Sequence, residues 1–145
     1  MKTEPELVPL TGLEPIRGWE EFLQDGEAYL KTATAAHAKR KAVFTPEILY
    51  NLIAMAIEKF VMAALMQRGT MPYNHTMLDL VEAMESTFPG RMGDLSQGLL
   101  DMDKYQEICD LDGFKIVPPS MEKIPGMLEL AERLRLLVTE ELCTK

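Results

Sequence analysis

Between Trp19 and Ala33 the apolar residues fall at Trp19, Phe22, Leu23, Gly26, Tyr29, Leu30 and Ala33. That spacing places them on one stripe of a helix, and the predicted span is about Gly18 to Ala38. Glu20, Glu21, Gln24 and Asp25 take the outer face, with negative charge in the first turns where the helix dipole favours it. A second helix opens at "FTPEIL", with Thr45 as N-cap and Pro46 at the first helical position, where its missing N–H is not needed. It should run to Gln67 or Arg68 and stop at Gly69, the residue type that accepts a left-handed cap. Ile48, Leu49, Leu52, Ile53, Ala56, Ile57, Phe60, Val61, Ala64 and Leu65 cover more than one of its faces, so it should have neighbours on most sides. Either it is the core helix of a bundle or it is shared with a second subunit.

A third helix is predicted from near Thr76 to before Pro89-Gly90, and a fourth over about Asp94 to Asp110. Along the fourth, Leu95, Leu99, Met102 and Tyr105 or Gln106 run down one side. "DLDGFKIVPPS" reads as a loop punctuated by Asp112-Gly113 and Pro118-Pro119, with Phe114, Ile116 and Val117 as a short extended piece. The last helix follows Ser120. Pro125 belongs in a first turn, so its start should lie near Lys123, and its stripe is Met127, Leu128, Ala131, Leu134, Val138 and Leu142. Residues 1–16 carry three prolines and no period and read as an extended arm. No strand-period segment survives, so the class is all-α: an up-and-down bundle of about five helices in a single domain, 17–145.

Composition narrows the function classes. With 145 residues, 47% hydrophobic and 26% charged, the chain can bury a core without staples. The run "ILYNLIAMAIEKFVMAALM" holds Glu58 and Lys59 in its middle, which suits a buried bundle helix better than a membrane span. No export signal is apparent at the amino terminus. Cys109 and Cys143 lack metal-type spacing and suit reduced thiols in a cytoplasm. A net charge of −8 argues against nonspecific binding to DNA or RNA through a basic face. The local exception is "HAKRK", His37 to Lys41, which could bind a phosphate or acidic partner but is explained more cheaply as positive charge suited to a helix C-terminus. Eleven methionines fit adaptable packing or a sticky surface.

The middle of the chain, "AIEKFVMAALMQRGTMPYNHTMLDLVEAM", resembles the hallmark of HEPN domains. The matching residues are Ala56, Glu58, Lys59 and Ala63 on an apolar helix, then Gly69, Pro72, His75, Leu78 and Leu80 through a turn into the next. The long first helix with its basic end and the late "GMLELAERLRLLVTEEL" are similar too, so the resemblance spans roughly 18 to 142. It implies a bundle that is usually dimeric and often encoded or fused with minimal nucleotidyltransferases, in toxin–antitoxin or related defence roles. Some members are ribonucleases through an Arg-x4-6-His motif. Arg68 and His75, with six residues between them, match that spacing, but nuclease members carry the motif later in the chain. The corresponding stretch here, "FPGRMGDLSQGLL", has Arg91 and no histidine after it. The resemblance therefore implies a binding role.

Four residues emerge as ligand-binding candidates: Glu58, Lys59, Arg68 and His75. A histidine beside an arginine can take the 2′-hydroxyl proton of RNA and stabilise the phosphorane, which makes Arg68 and His75 the ribonuclease alternative. The local alternative has Arg68 neutralising carbonyls at a helix end and His75 ordering the turn. Glu58 and Lys59 form either a polar notch for a ligand or a pair of groups satisfied by residues such as Glu82 or by a second subunit. His75, Asp79 and Glu82 place three potential metal ligands near one face, without the Glu-x-x-His pairs of di-metal bundles, so no metal and no cofactor is expected. The overall expectation is a noncatalytic homodimeric module for a nucleotide, RNA or partner protein such as a nucleotidyltransferase. A purely structural adaptor is the remaining alternative.

Overall fold

The computed structural model describes residues 14–105 and 119–143. They form five α-helices: α1 (Trp19–Ala38), α2 (Pro46–Gln67), α3 (Met77–Thr87), α4 (Leu95–Asp101) and α5 (Ile124–Cys143). No strand occurs among the described residues, and the architecture is the all-α bundle expected. The helix boundaries follow the punctuation. Thr45 caps α2 by accepting from Ile48 N at 3.2 Å, with Pro46 in the first turn. Thr76 caps α3 by accepting from Asp79 N at 3.1 Å. At the end of α2, Gly69 takes φ +79°, Gly69 N donates to Met66 O and Thr70 N to Leu65 O, a complete Schellman motif. Ile16 N donates to Met66 O at 2.7 Å, which ties the start of the described chain to the same helix end.

Helix α2 is the axis of the bundle. It packs against α1, α5 and α3, and every residue from Phe60 to Met66 is buried. Among the described helices it alone is long and apolar enough to cross a membrane, with mean hydropathy 1.7, and 67% of that window is buried inside the bundle. The α1 and α5 stripes pack where their periodicity put them, with Leu30, Ala33, Met127, Ala131, Leu134 and Val138 buried. Ile48, placed in the α2 core by pattern, is instead 41% exposed.

The fourth helix departs most from expectation. It ends at Asp101 and tightens into a 3-10 turn, Met102–Tyr105. The Tyr50 hydroxyl donates to Met102 O at 3.2 Å and so satisfies a carbonyl at the helix end, where the geometry changes. Burial raises the pKa of that phenol, so it stays a donor. Residues 106–110, Cys109 and the Phe114–Val117 piece lie outside the described residues, as does most of the amino-terminal arm. Helix α5 is preceded by a 3-10 turn, Met121–Lys123, which leaves Pro125 in the first α-helical turn as its chemistry requires.

Helices α1 and α2 approach closely at Gly26. A Cβ there would lie 2.8 Å from the Phe60 ring and 3.2 Å from the Ala56 carbonyl oxygen. Alanine would gain about 1 kcal/mol of helix propensity. The carbonyl belongs to rigid helical backbone, however, and overpacking at such a contact costs about 1–3 kcal/mol. Gly26→Ala should therefore lower the urea midpoint with the slope unchanged. A raised midpoint would mean that the two helices part easily.

Candidate functional site

The four candidate residues do not share one site. Glu58 lies midway along α2 and faces the turn between α2 and α3, where His75 Nδ1 meets its carboxylate oxygen Oε2. The Glu58 partner is thus His75, not Glu82 or another α3 carboxylate. The pair is half-exposed and borders a cleft of about 280 Å³. Asn51, Ala54, Met55 and Glu58 form its α2 wall at i, i+3, i+4 and i+7, with His75, Met77 and Leu80 opposite. His75 engages through Nδ1, so Nε2 is the ring nitrogen presented to a ligand. Met55 in the cleft wall is exposed, and so are Met71 and Tyr73 in the turn that carries His75 and Leu78 in the first turn of α3. Tyr73, at 91% exposure, protrudes from the same turn as His75.

Lys59 is adjacent in sequence but points elsewhere, because successive helical residues are rotated by about 100°. Its ammonium lies 4.6 Å from the centre of the Phe22 ring on α1, a cation–π contact made by a partly exposed side chain. The reading of Glu58 and Lys59 as one polar notch is corrected accordingly.

Arg68 is the C-cap of α2 and turns toward α5. Its Nη2 donates to the Glu141 carbonyl oxygen at 2.8 Å, and its guanidinium stacks 4.9 Å above the Phe88 ring. The Glu141 side chain is 9% exposed and lies 3.7 Å from Arg68; on its other oxygen it meets Arg91, which also donates to Glu140 at 3.2 Å. Arg68 thus does neutralise a carbonyl at a helix end, but on α5 rather than on its own helix. Glu58, the partner of His75, is ten residues before Arg68, roughly 15 Å along the helix axis. Within one chain the arginine and the histidine belong to separate clusters. His75, Asp79 and Glu82 do not converge either: among the described residues no three potential ligands are placed to hold a metal ion.

Glu141 was missed by pattern reasoning, although a signal existed. It follows Val138 by three residues, so the core spacing of α5 already turns it inward. At the other end of α2, "HAKRK" closes α1, and its His37, Arg40 and Lys41 line a larger cleft beside the start of α2.

No known family model matches the chain, and it has no significant match among curated proteins or solved structures.

Proposed function

We propose that the chain is a noncatalytic HEPN-like binding module that pairs with a second copy across the α2–α3 face. Two copies joined there bring two Glu58–His75 clefts to one seam, where a nucleotide or a partner protein such as a nucleotidyltransferase docks. The observation that carries this reading is the surface around the cleft. Met55 is exposed in the cleft wall, and Met71, Tyr73 and Leu78 are exposed in the turn and the first turn of α3 that follow, so the segment carrying the polar pair also carries apolar side chains of the kind an interface buries. The "AIEKF…GTMPYNH" resemblance points to the same helix pair.

The noncatalytic part rests on Arg68, whose guanidinium is engaged by α5 rather than facing His75. Incubating the pure protein and its His75→Ala variant with RNA should give identical backgrounds; cleavage lost in the variant would revive the ribonuclease alternative. A melting temperature raised by nucleotide would separate a binding module from a structural adaptor.

The interface is tested by sedimentation velocity at micromolar concentration. The native chain should sediment with twice the chain mass, and Leu78→Asp should weaken self-association by about 30-fold or more. Leu78 is 48% exposed, so the substitution leaves the fold intact. A native chain that stays monomeric at these concentrations overturns the proposal.

A further inference from the structure

The ends of α1 and α2 close with the same backbone motif but different residues. At α2 the left-handed position is Gly69; at α1 it is Arg40, with φ +51°. Arg40 N donates to His37 O at 3.1 Å and Lys41 N to Ala36 O at 3.3 Å, which completes the Schellman pattern. A side chain in this conformation is strained, and glycine would relieve it. Strain that persists where a cheaper residue exists points to use of the side chain.

The surroundings show what that use is. Arg40 lines a cleft of about 540 Å³, the size of a small-molecule site, together with His37 and Lys41. Among the described residues, Arg40 and Lys41 make no side-chain hydrogen bond or ion pair, whereas Arg68, Arg91, Arg133 and Arg135 are all paired. In a chain of net charge −8, this is a local concentration of uncommitted positive charge. Phe44, Leu49 and Met121 supply apolar lining, and Glu122 lines the cleft as well.

We infer that this cleft binds a small phosphomonoester with an apolar body. Arg40 presents a planar fork to two phosphate oxygens, Lys41 a point charge to the third, and His37 a ring N–H. Phe44 and Leu49 receive the body. Glu122 in the same lining sets one carboxylate against the charges of Arg40 and Lys41. The cleft lies at the opposite end of α2 from Arg68, and its occupancy does not depend on the proposed pairing across α2 and α3.

The test titrates the full chain with phenyl phosphate, inorganic phosphate and benzyl alcohol, followed by calorimetry and by the amide resonances of residues 36–49. Phenyl phosphate should bind at least about tenfold more tightly than inorganic phosphate, and benzyl alcohol should not bind measurably. Arg40→Gly separates binding from folding, because its two effects have opposite signs. It should raise Tm by about 4 °C through relief of the backbone, yet weaken phenyl phosphate by at least about tenfold. Lys41→Gln should weaken binding without changing Tm. The inference fails if phenyl phosphate shows no saturable binding by about 10 mM, if Arg40→Gly binds as the native chain does, or if the shifted resonances lie elsewhere.

Discussion

Phe60→Ala should destabilise the bundle by about 4 kcal/mol, the largest effect expected of a single truncation among the described residues. Phe60 is fully buried on α2 and meets the α1 backbone at Gly26. Removing the ring withdraws its transfer free energy and leaves a cavity that cannot collapse. The wall opposite is a glycine in a rigid helix, with no side chain to move into the space. Against a total stability of roughly 5–15 kcal/mol, such a loss leaves the protein marginal. Urea denaturation monitored by circular dichroism checks it, and a loss under about 1 kcal/mol would show that the centre of α2 is loosely packed.

Glu141→Ala should follow at about 2–3 kcal/mol. The carboxylate is nearly buried between two guanidiniums, and its removal leaves both without their shared anion. The upper end of the range for a broken buried pair is not reached, because Arg91 is 42% exposed and can turn to water. Arg68 also keeps its hydrogen bond to the residue-141 carbonyl, which the substitution does not touch. Glu141→Gln should therefore lose less than Glu141→Ala, since the amide oxygen still accepts from an arginine. Thermal unfolding of both variants beside the native chain gives the ranking. An unchanged Tm for Glu141→Ala would mean that the cluster adds nothing to the joint between α2, the α3–α4 loop and α5.

The helices were legible because their signals are local. Thr45-Pro46, Gly69 and Thr76 mark boundaries through capping chemistry that needs no tertiary partner. The end of α4 was not; the carbonyl where it turns 3-10 is met by the hydroxyl of Tyr50, a residue 52 positions away that no local pattern points to. The same distinction runs through the candidate site. Arg68 and His75 bracket one turn in sequence, but the turn carries His75 back along α2 to Glu58 while the helix end throws Arg68 onto α5. Glu58 and Lys59 are neighbours that helical rotation sends to the α2–α3 turn and to α1 respectively. Arg40 gave no warning at all, since a left-handed arginine runs against the residue preference of its position.

The pairing of two copies across the α2–α3 face is tested most directly by isotope-filtered NOE spectroscopy. Methyl-labelled and unlabelled chains would be mixed, with the methionine methyls of Met55 and Met71 as probes. Cross-chain NOEs from these methyls to the Tyr73 ring and the Leu78 methyls are the predicted result. Cross-chain NOEs confined to other faces, or none at all at a concentration of about 100 µM, would contradict it.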